Sequence, residues 1–241
     1  MRINVHAGHN PDGKIGCGAI GIIQESTEAR KVKNEVVKQL TALGHEVYDC
    51  TVDNGTSASN VLTNIVKKCN AHDVDLDVSI HFNAGARDTA GNDKTTGTEV
   101  LVYSDASKAK SYAEKACASI AGLGYRNRGV KINSSLYVLR KTKAPAMLIE
   151  CCFVDDKDDI ALYDYKSMAD AIVYGITGQR YEEHGNEDTD DEAYYHGSET
   201  AMGDAKAIYR VQIGAYGVKA NAENMQKKLQ AAGFDACIVK A

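Results

Sequence analysis

The sequence has 241 residues, of which 44% are hydrophobic and 25% are charged, so it can bury a sizeable core and lacks the composition of a disordered chain. Its 28 basic and 33 acidic residues give a net charge of −5, and no basic patch is interleaved with aromatic residues, which disfavours nucleic acid as a partner. The N-terminal sequence MRINVHAGHN has no sustained apolar run, and no stretch is long enough to span a membrane, so we expect no signal peptide and no membrane insertion.

Apolar periodicity predicts strands and helices in alternation along most of the chain. In chain order, the predicted elements are strands at residues 3–7, 45–50, 76–84, 98–103, 136–139 and 146–149, and helices at residues 25–43, 57–69, 107–123, 155–163 and 166–177. Strands that alternate with helices of this length are typical of an α/β fold. We therefore predict three layers, in which a twisted, mostly parallel mixed sheet has helices on both faces.

The C-terminal part of the chain has a different charge pattern. Residues 181–205 contain nine acidic residues and no Lys or Arg, whereas residues 206–241 contain six basic and two acidic residues. The acidic stretch has no apolar periodicity, which is typical of a solvated linker. After it, a strand, a helix and a second strand predict one small βαβ unit, too short to bury a core alone. We therefore predict a main domain at 1–180, an acidic linker at 181–206 and a C-terminal unit at 207–241.

The sequence contains seven cysteines, an odd number without the spacing of a disulfide framework. This pattern indicates reduced thiols and synthesis in the cytosol. The adjacent pair Cys151 and Cys152 could ligate a metal, but buried packing is the favoured interpretation because free cysteine is commonly buried.

Ionisable side chains follow several of the predicted strands. The first strand leads into His9, the third contains His81, and the last ends directly before Glu150. In open α/β sheets, ligands bind beyond the carboxyl ends of the strands. Imidazole nitrogens and a carboxylate oxygen are zinc ligands, and a catalytic zinc site keeps one position open for water. The pattern therefore predicts a zinc site at this edge, whereas His6, on the opposite face of its strand, is interpreted as structural.

Four motifs carry a resemblance to a known family. They are NVHAGHNPDG around His9, the start of the first helix at Glu25, SIHFNA around His81, and PAMLIECCFVDD around Glu150. In order and context they resemble the zinc-dependent N-acetylmuramoyl-L-alanine amidases of phages, prophages and sporulating Gram-positive bacteria, from residue 3 to about residue 178. The resemblance implies a mixed α/β fold and a Zn²⁺ cofactor held by His9, Glu25 and His81. It also implies that Glu150 is the catalytic carboxylate.

The choice between two neighbouring glutamates as the zinc ligand rests on the same resemblance. Glu28 begins the same helix as Glu25 and is the alternative ligand, but the family's spacing to the closing glycine, counted back from Gly44, favours Glu25. Two residues are candidates for substrate binding. Asn83 either orients a ligand or caps the end of its strand, and Arg140 either binds a stem-peptide carboxylate or is a solvated charge.

The resemblance implies a peptidoglycan hydrolase that cleaves the amide bond between N-acetylmuramic acid and the L-alanine of the stem peptide. Zinc would activate water, and Glu150 would accept its proton and pass it to the departing amine. We expect a lytic role, as an endolysin or in cell lysis, with synthesis in the cytoplasm and action on the cell wall after release.

Two alternative functions are weighed against this one. A zinc carboxypeptidase-like peptidase acting on free peptides is disfavoured, because its ligand pattern puts a His and a Glu a few residues apart, unlike His9 and Glu25. A catalytically silent wall-binding protein is disfavoured because it has no need of an unligated Glu150.

The tail sequences YRVQIGAY and NAENMQKKLQAAGF resemble half of a sporulation-related repeat, a peptidoglycan-binding module with two βαβ halves. Either this half pairs with a second copy to form a homodimer that binds the wall, or it is a remnant that packs on the main domain. Pairing is favoured, because the basic excess suits an anionic wall and the linker is long enough to give the tail reach.

Overall fold

A computed structural model describes residues 1–181 and 219–231, and the chain divides into two compact units, Met1–Tyr181 and Glu182–Ala241. The strands are β1 (Arg2–Ala7), β2 (Glu46–Asp49), β3 (Leu76–Asn83), β4 (Thr98–Val102), β5 (Asn127–Ile132) and β6 (Ala146–Phe153). The helices are α1 (Glu25–Ala42), α2 (Ala58–Cys69), α3 (Lys110–Ala121), α4 (Tyr137–Lys141), α5 (Lys157–Leu162), α6 (Tyr165–Thr177) and, in the second unit, α7 (Lys219–Ala231). Each helix in these ranges is too short or too polar to cross a membrane.

The six strands form one mixed sheet in the order β2-β1-β3-β6-β4-β5. Strands β2, β1, β3 and β6 are parallel to one another, whereas β4 is antiparallel to β6 and parallel to β5. The predicted mostly parallel mixed sheet is therefore confirmed. The last of these six strands in the sequence, β6, lies in the interior of the sheet between β3 and β4.

Helices cover both faces of this sheet, as predicted. Helices α1, α3 and α6 pack on one face, where Val5, Ile80 and Ile149 are fully buried. Helices α2 and α4 pack on the other face, where Ile65 and Leu148 belong to a second buried cluster. We call these the α1 face and the α2 face. Because side chains alternate along a strand, each buried strand contributes to both faces.

Local sequence signals set the ends of several helices. The four residues Ala29, Val32, Val36 and Leu40 give α1 one fully buried stripe, and Gly44, with φ 82, follows it in the left-handed conformation that ends helices. Helix α2 begins after Ser57, whose side chain accepts a hydrogen bond from the Asn60 amide at 3.1 Å.

Three details of the predicted order are wrong. Residues 136–139 do not form a strand, because most of this apolar run lies in the short helix α4. The strand β5 was not predicted, since its sequence NRGVKI is largely exposed and polar. Strand β6 does not end at Ile149 but continues to Phe153, so Glu150 lies within the strand. In the predicted C-terminal unit, α7 agrees with the predicted helix, and both predicted strands and most of the linker lie outside the described residues.

Aspartates at the start of α5 hold the long loop between β3 and β4. The Asp155 carboxylate accepts hydrogen bonds from the amides of Gly85, Ala86 and Arg87 at 2.9–3.2 Å. Asp156, fully buried, accepts from the amide and hydroxyl of Thr96 at 3.1 and 2.5 Å, and from the amides of Asp158 and Asp159 at 2.8 and 2.9 Å. These carboxylates satisfy backbone groups that have no partner in a helix or strand, and so fix the loop beside the sheet.

Candidate active site

Three of the predicted site residues come together at the carboxyl ends of β1 and β3. His9 follows β1, Glu25 is the first residue of α1, and His81 lies near the end of β3. Their ligand atoms all lie within 4.8 Å of one another. Glu25 Oε1 is 3.2 Å from His9 Nε2 and 3.0 Å from His81 Nδ1. Two imidazole nitrogens and one carboxylate oxygen in this arrangement are a donor set that fits a zinc ion.

The backbone around the three residues is held in place by further hydrogen bonds. The amide of Phe82 donates to Glu25 Oε1 at 3.2 Å, and the amide of Ala19 donates to Glu25 Oε2 at 2.8 Å. His9 has a left-handed backbone with φ 65, which is uncommon outside glycine, and Arg30 donates to its carbonyl oxygen at 2.9 Å. The ligand geometry is therefore fixed by the fold and not only by the three side chains.

Burial and mutual contact shift the proton affinities of the three residues. Burial alone would raise the pKa of Glu25, but hydrogen bonds with His81 and His9 lower it well below its ordinary value. Burial lowers the pKa of His81, although the Glu25 carboxylate opposes this shift. At neutral pH the glutamate is therefore ionised and His81 is neutral, which are the protonation states in which these side chains ligate a metal.

Two glycines make room for these side chains. A Cβ atom on Gly8 would lie 2.6 Å from His81 Nδ1 and nearer still to two other ring atoms. A Cβ atom on Gly18, which has φ 82, would lie 2.5 Å from Glu25 Oε2 and 2.8 Å from His9 Cδ2. Gly8, in the motif around His9, and Gly18, in the loop that follows this motif, are therefore needed for close packing against the candidate ligands.

Glu150 lies on β6 directly beside the three candidate ligands. It is the register partner of His81 on β3, and alternation puts both side chains on the α2 face. Its Oε2 atom is buried and has no hydrogen-bond partner among the residues that the structure describes. Burial, with smaller contributions from the Glu25 and Glu99 carboxylates, raises the pKa of Glu150 from 4.5 to about 8. A carboxyl group with this pKa can both accept and donate a proton near neutral pH.

The row of ionisable side chains continues beyond Glu150. Glu99 on β4 is the register partner of Glu150, and Arg128 on β5 donates from Nε to Glu99 Oε2 at 2.7 Å. Four neighbouring strands, β3, β6, β4 and β5, thus contribute His81, Glu150, Glu99 and Arg128, and we call these four residues the row. Sequence reasoning missed Glu99 and Arg128, because the pairing of β4 with both β6 and β5 is not visible in the sequence.

The remaining predicted residues lie in different surroundings. Asn83 donates from Nδ2 to Glu99 Oε1 at 3.0 Å, beside the row, and its own Oδ1 accepts from the Ala84 amide at 2.8 Å. Arg140 lies on α4 with its guanidinium 5.9 Å from the ring centre of Tyr137, and no contact with the three candidate ligands or Glu150 is found among the described residues. Glu28 accepts a hydrogen bond from the Tyr163 hydroxyl at 3.0 Å, away from the two histidines.

Comparison with known families covers most of the first unit. The family described as N-acetylmuramoyl-L-alanine amidase matches residues 3–178, nearly three quarters of the sequence. The chain belongs to the N-acetylmuramoyl-L-alanine amidase family. The resemblance expected from the four motifs is therefore confirmed, and so is the expected extent of the amidase region.

Individual relatives agree with this family. An uncharacterized protein of Clostridium perfringens is 38% identical over 170 residues, which are 69% of this chain and 48% of that protein. The N-acetylmuramoyl-L-alanine amidase CwlM of Bacillus licheniformis is 30% identical over 183 residues, 74% of this chain and 62% of that protein. The catalytic domain of an endolysin targeting Clostridia Difficile has the same fold, with a TM-score of 0.67 at 24% identity over 76% of this chain and 99% of that one. The chain spans about half the length of the first curated relatives that it matches.

A second family matches the C-terminal part of the chain. The SPOR domain matches residues 190–240, which confirms the resemblance of the tail to a sporulation-related repeat. The match begins inside the stretch interpreted as an acidic linker. The predicted boundary at residue 207 lies outside the described residues and stays a prediction.

Proposed function

We propose that this chain is a peptidoglycan hydrolase that uses zinc to cleave the amide bond between N-acetylmuramic acid and the L-alanine of the stem peptide. One observation carries the proposal: the ligand atoms of His9, Glu25 and His81 lie within 4.8 Å of one another. Glu150, buried and unpaired at Oε2, is in register beside His81. In a member of the amidase family, this combination supports amide hydrolysis better than binding alone.

The zinc proposal rests on the chemistry of the donor set. His9 and His81 each offer a ring nitrogen, and Glu25 offers the oxygen Oε1 while its second oxygen, Oε2, accepts a hydrogen bond from the Ala19 amide. When bound there, a zinc ion supplies Lewis acidity, which polarises a carbonyl and makes water a better nucleophile at neutral pH.

Glu150 supplies the proton transfers of the proposed reaction. Its raised pKa, about 8, matches the range in which a carboxyl group exchanges protons at neutral pH. As water attacks the amide carbonyl, Glu150 accepts the proton that water loses. The same proton is then donated to the nitrogen of L-alanine, which leaves as a free amine.

The tail supports the finer parts of the proposal. We infer that the SPOR domain match and the basic excess of residues 206–241 bring the enzyme to the anionic wall after its release, in a lytic role. Pairing of the tails of two copies would add avidity. Light scattering on the full-length and tail-deleted proteins tests the pairing, and equal masses after normalisation for chain mass would contradict it.

One experiment tests the enzymatic proposal directly. Zinc content and the release of N-terminal L-alanine from peptidoglycan are measured for the wild type, Glu150→Gln, Glu25→Gln and Glu28→Gln. We expect about one zinc per chain and alanine release in the wild type, zinc without release in Glu150→Gln, and loss of both in Glu25→Gln. Glu28→Gln is the matched control on the same helix turn and should keep both.

The same experiment separates the alternatives. Zinc in the wild type without alanine release from peptidoglycan, but with cleavage of free peptides, would favour the peptidase. Wall binding without zinc and without release would favour the silent wall-binding protein. Zinc retained by Glu25→Gln and lost from Glu28→Gln would exchange the roles of the two glutamates.

A further inference from the structure

Arg128 lies at the outer end of the row His81, Glu150, Glu99 and Arg128. Its side chain is 30% exposed, whereas that of Glu99 is 12% exposed. Successive residues of the row lie on successive strands of the sheet. Because neighbouring strands are about 4.8 Å apart, each residue lies about 4.8 Å farther from the candidate metal ligands than the one before it. Arg128 on β5 is therefore about 10 Å from Glu150 on β6, measured across the sheet.

Two contacts fix the orientation of Arg128. Its Nε atom donates to Glu99 Oε2 at 2.7 Å, and the other oxygen of Glu99 accepts from Asn83 at 3.0 Å. The guanidinium carbon is 5.0 Å from the ring centre of Phe153, a distance suited to a cation–π contact. The Arg128 side chain is therefore held by the hydrogen bond from Nε to Glu99 and by the contact of its guanidinium plane with the Phe153 ring. Neither contact uses the terminal nitrogens Nη1 and Nη2.

The terminal nitrogens of Arg128 are available to a ligand. Within residues 1–181 and 219–231 no hydrogen bond or ion pair involves Nη1 or Nη2. A guanidinium presents these atoms as a planar fork that fits a carboxylate. Since the side chain is partly exposed on the side of the sheet that carries Glu150, the fork can meet an anionic group of a molecule bound there.

The chemistry of the proposed substrate supplies such a group at a matching distance. In peptidoglycan the residue after L-alanine is D-glutamate linked onward through its side chain, so its α-carboxyl group is either free or amidated. An extended two-residue segment spans about 7 Å, and a hydrogen bond adds about 3 Å. Together these cover the approximately 10 Å between β6 and β5.

We propose that Arg128 binds the free α-carboxylate of the second stem residue and makes the enzyme prefer stems in which this group is not amidated. The inference rests on the proposed amidase function. It gives Arg128 the carboxylate-binding role that the sequence suggested for Arg140.

The test uses full-length, zinc-loaded protein and soluble peptidoglycan fragments with tripeptide stems that differ only in amidation of this carboxyl group. The measured quantity is the ratio of kcat/KM for the free acid to kcat/KM for the amide. We expect a ratio of about ten or more in the wild type, as for a charged hydrogen-bonded pair, and a ratio near one in Arg128→Gln. Arg128→Lys should give an intermediate ratio.

Lys131→Gln is the matched control, because Lys131 is an exposed cation on the same strand. This variant should keep the wild-type ratio. Dissociation constants of both fragments in the Glu150→Gln background, with and without Arg128→Gln, give the same comparison without turnover. There the free acid should bind about tenfold more weakly after the loss of Arg128, and the amide should be unaffected.

Three results would overturn the inference. A wild-type ratio near one, or an unchanged ratio in Arg128→Gln, would show that Arg128 does not read the carboxylate. An equal loss on both fragments would assign Arg128 a structural role through Glu99. If the wild type still releases alanine in any of these three results, the proposed amidase function stands and only the role of Arg128 is rejected. If the wild type releases alanine from neither fragment, the proposed function and the inference are both rejected.

Discussion

Replacement of Gly8 by alanine tests whether the three candidate ligands act as one metal site. Gly8 follows β1, and its amide donates to the Ile80 carbonyl at 3.0 Å, which holds its backbone against β3. The added Cβ atom would lie 2.6 Å from His81 Nδ1, whereas ordinary contacts begin at 3.4 Å. The difference, 3.4 minus 2.6, means that this nitrogen must move by at least 0.8 Å.

Such a movement is large compared with the tolerance of a zinc site, in which ligand distances vary by about 0.2 Å. The backbone of Gly8 cannot absorb the shift without breaking its bond to β3. We therefore expect Gly8→Ala to lose stoichiometric zinc, and with it alanine release, while the rest of the domain stays folded. A 1 Å misplacement at a reacting centre costs about a hundredfold in rate, so residual activity should be at least that much lower.

Zinc per chain is measured by elemental analysis after dialysis against trace zinc, and folding is measured by circular dichroism and thermal unfolding. Gly13→Ala is the control for backbone strain without a clash, because Gly13 also lies in the loop after β1 and has φ 75, but no atom lies within 4 Å of an added Cβ. The reasoning is refuted if Gly8→Ala binds zinc as tightly as the wild type. It is also refuted if Gly13→Ala loses zinc to the same degree.

Two further predictions concern stability. In zinc-free protein the pKa of Glu150 is raised from 4.5 to about 8, so between these values the folded state keeps a proton that the unfolded state has released. The free energy of unfolding should therefore fall as pH rises through this range, by up to about 1.4 kcal/mol per pH unit, and the window between about 6.5 and 8 isolates Glu150. Urea unfolding with a chelator should show this slope, and Glu150→Gln should lack it. Asp156→Ala leaves four donors around a fully buried site without their acceptor and should lower the free energy of unfolding by about 3 kcal/mol or more.

Each of these predictions has a matched check. For pH dependence, an equal slope in the wild type and in Glu150→Gln would mean that another group is responsible. Asp159 and Asp77, whose pKa values burial raises to about 6, act below this window. The control for Asp156→Ala is Asp105→Ala, which removes an exposed aspartate paired with Lys110 and should change the free energy of unfolding by less than about 0.5 kcal/mol. A comparable loss of stability in Asp156→Ala and Asp105→Ala would contradict the role of Asp156 in holding the loop.

The sequence was sufficient where a pattern was strong and local. The strand that carries His81 is an apolar alternation, and the helix that begins at Glu25 has four apolar residues at helical spacing and a glycine stop at Gly44. Both elements were predicted within one or two residues. The meeting of His9 and His81 was also expected, because parallel neighbouring strands have their carboxyl ends at the same edge. Glu25, at the start of a helix, was expected beside them only through the resemblance to the amidase family.

The sequence was insufficient where the signal depends on neighbours in space. The run at residues 136–139 is four apolar or aromatic residues, too short for periodicity to separate strand from helix. Strand β5 lies at the sheet edge with exposed positions, so it has no buried alternation to detect. The predicted strand ended at Ile149 because the polar Glu150 resembles the residue that follows a strand. In the fold, Glu150 lies within β6 and faces the candidate site.

The interior position of β6 has a consequence for how the sheet is assembled. His9, Glu25 and His81 all precede β4 in the sequence, whereas Glu150 is on the last of these six strands to be synthesised, which inserts between β3 and β4. Before that insertion, the three strands β2-β1-β3 and the pair β4-β5 each have an edge that β6 has not yet covered, which favours aggregation of a partly folded chain. The candidate metal ligands can therefore meet in an incomplete fold, but the proton-transfer carboxyl arrives only with the strand that joins the two halves. The proposed hydrolytic activity therefore depends on completion of the sheet by β6.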